Sequence, residues 1–350
     1  MNFSVYYDSG TEVHGYFVPD GFSTVPKFHV RTDGSDSVTE IETWIYIEGA
    51  RAQGAHQTGN VGFILSDDNV PGLSTALRLE LSDPETGLIF YRRAQPGEFI
   101  AKKILRVETS YVPSTELDIS LKPYFQFYEH RIEHYGFETI RQMLEIIHQP
   151  SVYVSGRILL KNFRTYIDYN INMKFISLRD PFYELAMRIF IFSRIRKQKF
   201  AFVSPRDMTL FNSVIELFDG IAIQDENHLR KAIRSAPKDT LDLLSSPFTQ
   251  QLVASSPSDP VGLDDVSQAL DSLSQFTVFD AGRDAATYTQ SIAEAIGLPA
   301  EIIKMKPQSE ALHKIADILR KISRVEHLLE ADLILYHFIQ KSEDKARSHL

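Results

Sequence analysis

The stretch SVYVSGRILLKNFRTYIDYNINMKFISLRDPFYELAMRI, residues 151–189, contains two short apolar segments, each followed directly by an amphipathic one. The apolar segments SVYVS (151–155) and MKFISL (173–178) have the length and composition of buried strands. The segments after them, RILLKNFRTYIDY and PFYELAMRIFIFSRIRK, repeat apolar residues with helical spacing. Two strands joined by a helix form a βαβ unit with parallel strands, and ligands bind such units at the carboxyl ends of the strands.

On the N-terminal side, residues 2–93 consist of β-rich segments separated by turn-forming Asp, Asn, Gly and Pro. Short strands at this regular spacing are typical of a sandwich. The segments are NFSVYY, EVHGYFV, KFHVRT, TEIETWIYI, GNVGFIL, LRLELS and GLIFYRR.

The pattern changes after a further expected strand at 101–108. YFQFYEHRIEHYG (124–136) and FETIRQMLEIIHQ (137–149) have helical periodicity, and FTVFDA (276–281) indicates a late strand. We therefore predict an N-terminal all-β sandwich over residues 1–110, a linker over 111–122, and a helix-rich α/β domain with a short parallel sheet over 123–350.

Composition excludes several classes of site and partner. The 350 residues include no cysteine, which rules out disulfides and thiolate ligands, and the net charge is −9. An acidic chain disfavours nucleic-acid binding, because the phosphate backbone attracts basic surfaces. The N-terminus lacks the pattern of a signal peptide and no run is apolar enough to span a bilayer, so we expect a cytoplasmic protein.

Local positive charge is concentrated in residues 157–206, with eleven Lys or Arg against three acids. Arg157 follows Ser155 and Gly156, and Arg179 precedes Asp180 and Pro181, so both arginines stand where a strand turns into a helix. Helix N-termini and arginine side chains bind phosphate or sulfate groups, which predicts a local anion site.

Each of these observations has a structural alternative. The Asp-Pro pair after Arg179 also fits a helix start with aspartate as N-cap and proline at the first helical position. The run RIRKQK (194–199) also fits a solvated helix end, and residues 188–199 together fit an amphipathic helix in peripheral contact with a membrane. A full Walker motif is absent, and no metal-ligand cluster appears, so we predict no metal.

With these residues in view, the second domain resembles the P-loop-fold sulfotransferases, especially the carbohydrate sulfotransferases. The resemblance spans about residues 148–340. It rests on SVYVSGRILLKNF (151–163), KFISLRDPFYELAMRI (174–189), FTVFDAGRDAATYTQSIAEAIGLP (276–299) and VEHLLEADLILYHFI (325–339).

The resemblance implies a P-loop-type topology and 3′-phosphoadenosine 5′-phosphosulfate as co-substrate. Ser155, Gly156 and Arg157 would hold its 5′ side, Arg179 its 3′-phosphate, and Lys161 would stabilise the bridging oxygen from one helical turn beyond Arg157. The chain departs from the family pattern in two places. No hydroxyl pair follows Gly156, and Met187 replaces the serine expected after the LRDP arginine.

The first domain resembles the small β module fused to bacterial surface-polysaccharide enzymes, through GYFVPDG (15–21) and RAQGAHQTGNVGF (51–63). Within it, Trp44, Tyr46 and Tyr91 would stack on sugars. The alternative is that these aromatic rings belong to the sandwich core.

Two functions follow as hypotheses. The first is a sulfotransferase acting on a bacterial surface glycan or glycolipid precursor, with a pocket between the strand ends at Ser155 and Leu178, lined by Arg157 and Arg179. The second is a noncatalytic glycan-binding or polysaccharide-assembly protein that retains the fold without donor binding. Both hypotheses stay open at this point, and with them the question of whether the chain is an enzyme. The sequence does not define the oligomeric state.

Overall fold

The structure is a computed structural model that describes residues 1–22, 24–33, 37–282 and 284–347. Arg283, which belongs to the segment 276–299 quoted above, lies outside the described residues. Contacts group the chain into two compact units. Unit 1 comprises Met1–Leu105, Leu121–Val154 and Thr165–Asn172, and unit 2 comprises Arg106–Ser120, Ser155–Arg164 and Met173–Leu350.

The first part of the chain is mainly strand. Its elements are β1 (Asn2–Asp8), β2 (Val13–Val18), β3 (Lys27–Thr32), β4 (Thr39–Glu42), β5 (Ile45–Tyr46), α1 (Glu48–Ala52), β6 (Asn60–Leu65), β7 (Leu79–Ser82), β8 (Ile89–Arg92) and β9 (Lys103–Val107).

The rest is mainly helix. Its elements are α2 (Thr115–Leu121), β10 (Phe127–His130), α3 (Phe137–Leu144), β11 (Val152–Gly156), α4 (Leu160–Asn170), β12 (Met173–Ser177), α5 (Pro181–Phe192), α6 (Pro205–Leu210), α7 (Asn212–Phe218), α8 (Glu226–Ser235), α9 (Lys238–Asp242), α10 (Pro247–Val253), α11 (Val266–Leu273), β13 (Val278–Asp280), α12 (Ala285–Ile296), α13 (Glu310–Arg320), α14 (Ser323–Leu328) and α15 (Glu330–Arg347).

Two antiparallel sheets form the N-terminal part, and within the described residues each has four strands, in the orders β1-β2-β6-β5 and β4-β3-β7-β8. Phenylalanines from both sheets pack against one another. Phe28 lies 4.5 Å from Phe63 between ring centroids, and Phe17 lies 5.0 Å from Phe90. These rings are fully buried, because alternate residues of each strand point to the same side of its sheet.

Gly15 in β2 shows why this packing constrains the sequence. A Cβ atom at this position would lie 2.5 Å from the carbonyl oxygen of Ser4 and 2.6 Å from the ring of Phe63. Only glycine lets the neighbouring strand and the aromatic ring approach so closely.

A second kind of sheet follows, with the strand order β10-β11-β9-β12-β13 among the described residues. Its strands run parallel. Val152 donates to the carbonyl of Lys102 at the start of one pair of strands, and Glu108 donates to the carbonyl of Gly156 at its end. The pairing of β12 with β13 is parallel as well. The predicted fold class, antiparallel β sheets followed by a helix-rich part with a parallel sheet, is confirmed at this level.

The predicted βαβ unit needs one correction. β11 and β12 belong to the same parallel sheet, but β9 lies between them. The segment that the sequence marked only as a further strand at 101–108 is therefore the central strand. Its apolar core, Ile104 and Leu105, is fully buried, as expected for a strand covered on both faces.

The helix predicted over 124–136 is wrong. Phe127–His130 forms strand β10, and Arg131 then adopts a left-handed conformation with φ of 56°, which breaks any continuous helix. A short apolar run is compatible with the periodicity of a helix and with that of a strand. Here the segment forms a strand because it pairs with the edge of β11.

The segment predicted as a linker, 111–122, is also ordered. Tyr111 is fully buried, and its backbone N–H donates to Oε1 of Glu184 at 2.8 Å. The helix α2 then occupies most of the remaining segment.

Candidate functional site

The carboxyl ends of β9, β11, β12 and β13 are linked by hydrogen bonds within unit 2. Thr109, after β9, donates from Oγ1 to the carbonyl of Ser177 at the end of β12, at 2.5 Å. Ser177 in turn donates to Oδ2 of Asp280, the last residue of β13, at 3.0 Å. The β9 end thus meets strands on both sides, and ligands of open α/β sheets bind beside such a point, where the strand order reverses.

The loop after β9 is wrapped around a carboxylate. Glu108, which follows the strand, accepts hydrogen bonds from the backbone N–H of Ser110 at 3.1 Å and of Ser114 at 2.6 Å. Backbone N–H groups that converge in this way form a nest that suits an anion. In this chain the side chain of Glu108 fills the nest.

Buried arginine completes the arrangement around this loop. Arg106 contacts Oε2 of Glu108 through both terminal nitrogens at 3.1 Å, and it also pairs with Asp118 of α2 at 2.7 Å. All three side chains are nearly inaccessible to solvent. A single arginine thus bridges two buried carboxylates, so both negative charges have a cationic partner, although the three side chains together carry one net negative charge.

Ser155, Gly156 and Arg157 lie where the sequence places them, at the end of β11. Arg157 pairs with Asp207 of α6 at 3.3 Å, and its guanidinium carbon lies 4.6 Å from the centre of the Tyr111 ring. The hydroxyl of Ser155 is fully buried, and within the described part of the chain it has no hydrogen-bond partner.

Lys161 is exposed in the first turn of α4. The helix begins at Leu160, so Arg157 lies outside it. The expectation that Lys161 lies one helical turn beyond Arg157 therefore does not hold, although both residues follow the same strand.

Arg179 follows β12 and is half-buried. The next residue, Asp180, is the N-cap of α5 and accepts from the backbone N–H of Tyr183 at 3.0 Å, and Pro181 is the first helical residue. The alternative explanation of the LRDP segment as a capped helix start is thus confirmed. It leaves Arg179 itself unassigned, because no carboxylate of the described residues pairs with its guanidinium, whose nearest ring, Tyr183, lies 6.0 Å away.

Beside Arg179 lies a cavity of about 390 Å³ within unit 2. Arg157 is not among the described residues that line it, so this cavity differs from the pocket predicted from the sequence. Most of its lining is apolar. The lining residues are Val112, Pro113, Ser114, Thr115, Glu116, Leu117, Arg179, Tyr183, Met187, Phe190, Ile191, Phe202, Met305, Lys306, Pro307, Ser309 and Leu312.

A much smaller cavity of about 10 Å³ is also lined by Arg179, together with Glu108 and Tyr288. The hydroxyl of Tyr288 is buried and has no hydrogen-bond partner among the described residues, and burial raises its pKa above the usual range. A space of this size holds about one water molecule, which would satisfy that hydroxyl.

The basic run 194–199 is not part of this site. α5 ends at Phe192, and Arg194, Arg196, Lys197 and Lys199 are exposed in the turns that follow. This agrees with the solvated-end alternative. Of the stretch 188–199, given above as an alternative amphipathic helix, only residues 188–192 are helical, and its apolar residues Ile189 and Ile195 pack in the core of unit 2.

The three aromatic residues predicted to bind sugar differ in exposure. Trp44, just before β5, and Tyr46 are 50% and 51% exposed. Tyr91 is buried, and its hydroxyl donates to Oδ2 of Asp8 at 2.8 Å. Trp44 and Tyr46 therefore have ring surface available for stacking, whereas Tyr91 is held by a hydrogen bond in the interior.

Sequence reasoning missed Glu108 and the wall formed by Met305 and Lys306. The signal for Glu108 was present, since TSYVPST (109–115) is a hydroxyl-rich loop between a strand and a helix. Met305 and Lys306 lie in a stretch without helix or strand before α13. The sequence of this stretch contains no motif that marks them as part of a site.

Among the described residues, no His, Asp or Glu side chains form a group of three or more that could hold a metal ion, and no helix is long and apolar enough to cross a membrane. No protein-family model, curated protein or solved structure matches the chain.

Proposed function

We propose that the chain is a sulfotransferase-like cytoplasmic protein that transfers a sulfuryl group from 3′-phosphoadenosine 5′-phosphosulfate to a bacterial surface glycan or its glycolipid precursor. The proposal includes that the parallel sheet has the P-loop-type topology of the sulfotransferases. One observation carries it: Arg179 follows a strand of the parallel sheet, lines a cavity of about 390 Å³, and has no carboxylate partner in the described chain.

The strand order supports this location. From the central strand β9 the chain crosses to β10 and β11 on one side, and then to β12 on the other. Ligand sites of open parallel sheets lie at such a reversal, outside the carboxyl ends of the strands. Arg179 follows the first strand beyond the reversal, and its planar guanidinium suits a phosphate.

The residues fit the 3′ side of the donor better than its 5′ side. At the 5′ side, Arg157 already pairs with Asp207, and no hydroxyl pair follows Gly156. Binding there would require the arginine to leave its partner. The buried hydroxyl of Ser155 and the exposed ammonium of Lys161 are the remaining polar groups that follow from the family resemblance.

In the proposed reaction the acceptor hydroxyl oxygen bonds to sulfur, and the bond between sulfur and the bridging phosphate oxygen breaks. The acceptor hydroxyl releases its proton to water, and the electron pair of the breaking bond stays on the bridging oxygen, so negative charge develops on the phosphate of the departing nucleotide. Cations placed at that oxygen stabilise the developing charge, which is the role proposed for Lys161. Most of the catalysis would therefore consist of positioning and electrostatics.

A specific observation favours the second candidate, a noncatalytic glycan-binding or assembly protein. The nest after the central strand contains the carboxylate of Glu108, so an incoming phosphate would meet negative charge there. A chain that keeps its loop closed in this way retains the architecture without needing a donor. The half-exposed rings of Trp44 and Tyr46 would then be its glycan contacts.

The two candidates separate by titration calorimetry with 3′-phosphoadenosine 5′-phosphate at low and moderate salt. The variants are Arg157→Ala and Arg179→Ala, with Arg206→Ala as control, because Arg206 is exposed on α6 and lines neither cavity. We expect micromolar binding by the wild type. Arg179→Ala should bind the nucleotide roughly tenfold more weakly or worse, because it loses one charge-assisted contact.

The result for Arg157→Ala tests the 5′ assignment separately. Weakened binding would place the 5′ side at β11, whereas unchanged binding would confine the donor to the Arg179 side. If the folded wild type does not bind the nucleotide at either salt concentration, the sulfotransferase proposal is wrong and the noncatalytic candidate stands.

A further inference from the structure

The cavity beside Arg179 is elongated along α5. Tyr183, Met187 and Ile191 lie four residues apart on one face of this helix, and all three line the cavity. With a rise of 1.5 Å per residue, this face is roughly 12 Å long from Tyr183 to Ile191. Arg179 lies just before the helix, so the cavity is a slot with a cation at one end.

The slot has apolar walls on both sides of the helix face. Val112 lies in the wall that precedes α2, and Leu312 lies in the wall formed by the start of α13. A volume of about 390 Å³ is in the range of small-molecule sites, which are mainly apolar with a few polar groups that orient the ligand.

Two pairs of polar groups along the slot are engaged with each other. The hydroxyl of Tyr183 accepts a hydrogen bond from the backbone N–H of Ser309 at 2.8 Å. Lys306 pairs with Glu116 at 3.0 Å, so these two charges compensate each other. Arg179 thus supplies the remaining positive charge of the lining.

The neighbouring carboxylate does not compensate Arg179. Asp180 accepts from the backbone N–H of Tyr183, and its other oxygen pairs with Arg320 at 2.7 Å. Both oxygens are therefore used by the N-terminus of α5 and by α13. A ligand anion would be the partner of the Arg179 guanidinium.

We propose that this slot binds a single hydrocarbon chain that ends in an oxyanion, either a phosphate monoester or a carboxylate. The oxyanion lies on Arg179, and the chain lies along Tyr183, Met187 and Ile191. Apolar walls favour the chain through the hydrophobic effect, and the arginine fork suits either oxyanion. This inference does not rest on the sulfotransferase proposal, which places a nucleotide at the same arginine.

The test measures binding of octyl phosphate, octanoate, 1-octanol and inorganic phosphate to the full chain by titration calorimetry. We expect octyl phosphate or octanoate to bind at least about tenfold more tightly than 1-octanol and phosphate, because only the joined molecule uses both ends of the slot. The stronger of the two anionic compounds identifies the oxyanion.

Two variants assign the binding to the slot. Arg179→Gln removes the charge and should weaken the anionic amphiphile about tenfold while 1-octanol binds as before. Val112→Phe narrows the slot at a half-buried position and should weaken the amphiphile and 1-octanol alike. The controls are Arg206→Gln, exposed on α6, and Val25→Phe, exposed in unit 1, and both should bind as the wild type does.

The proposal is overturned if the anionic compounds bind no more tightly than 1-octanol. It is also overturned if both slot variants are folded by circular dichroism and bind like the wild type. A parallel titration with 3′-phosphoadenosine 5′-phosphate keeps the two proposals separate. Octyl phosphate binding without nucleotide binding supports the slot and rejects the donor, and the reverse result rejects the slot.

Discussion

Oε2 of Glu108 lies 2.6 Å from the backbone nitrogen of Ser114, so the carboxylate closes the loop that follows the central strand. Arg106 donates to the same Oε2 from the interior, and Oε1 accepts from the backbone N–H of Ser110. A side chain of the protein therefore occupies the position where a nest of N–H groups would bind an anion. The conformation of this loop depends on that negative charge.

Glu108→Gln tests this dependence with little change of shape. An amide nitrogen in place of one carboxylate oxygen puts a donor against a backbone donor, and the Arg106 charge loses one of its two partners. We expect the free energy of unfolding to fall by about 3 kcal/mol, as when a buried ion pair is broken. Urea denaturation followed by far-ultraviolet circular dichroism measures it, since most helices lie in unit 2.

Glu301→Gln is the matched control, because Glu301 is exposed in unit 2. Its effect should stay within about 0.5 kcal/mol, as for most surface substitutions. If both variants unfold at the same urea concentration as the wild type, the loop does not depend on the carboxylate.

Asp332 predicts a pH dependence of stability. It is fully buried in α15 and accepts hydrogen bonds from the backbone N–H groups of Phe248 and Thr249 at 3.0 and 2.7 Å. Burial raises the pKa of Asp332 to about 6, and this outweighs the hydrogen bonds and the charge of Arg188, which lower the pKa. In the unfolded chain the carboxyl titrates near its ordinary value of about 3.9.

Between these two values the folded state retains a proton that the unfolded state has lost. Stability therefore falls as pH rises from about 4 to about 6, and the loss is complete above that. The difference in unfolding free energy between wild type and Asp332→Asn should decrease by about 3 kcal/mol from pH 4 to pH 7. A difference that stays constant over this pH range would contradict the raised pKa of Asp332.

The sequence predicted the strands well where turn residues and alternation agree. KFHVRT and LRLELS became β3 and β7, with alternate residues buried. SVYVS and MKFISL became β11 and β12, as predicted from their apolar composition and their position just before helical segments. At the site, the positions of Arg157 and Arg179 after their strands also followed from this pattern.

Other features depend on contacts that no local pattern contains. Nothing within KILRV (103–107) indicates that it is the central strand, since that depends on where β11 and β12 pair. Likewise, the partner of Arg157 is Asp207, fifty positions further along the chain, whereas Arg179 has none among the described carboxylates. The two arginines look equivalent in sequence and differ only once the helices are packed.

The exposed rings of Trp44 and Tyr46 predict glycan contact without a role in stability. We expect Trp44→Ala to weaken retention in affinity gels containing xanthan, gellan or alginate by about fivefold, since an aromatic contact contributes on the order of 1 kcal/mol. Tyr169→Ala, at an 85% exposed ring elsewhere in unit 1, should migrate as the wild type does. Equal retention of all three proteins would remove the glycan role of Trp44.

Gly59 supports the position of the Tyr46 ring. Its φ of +77° favours glycine, and a Cβ atom there would lie 2.8 Å from Cε2 of Tyr46. Gly54 has a similar φ of +67°, but a Cβ atom there would have no neighbour within 4 Å. Alanine at either position therefore carries the backbone strain, and only Gly59→Ala adds the steric conflict with Tyr46.

We expect Gly54→Ala to lower the free energy of unfolding by about 1 kcal/mol, which is the backbone cost alone. Gly59→Ala should lower it by about 2 kcal/mol or more, because the Tyr46 ring must move as well. Trp44 is the single tryptophan of the chain and stands two positions before Tyr46, so its fluorescence reports the unfolding of unit 1 and local changes near β5. If the native fluorescence spectrum shifts in Gly59→Ala alone, the additional loss of stability is due to displacement of the Tyr46 ring. If both variants lose the same unfolding free energy, the Tyr46 ring moves without cost and is not held in a fixed position for stacking on a sugar.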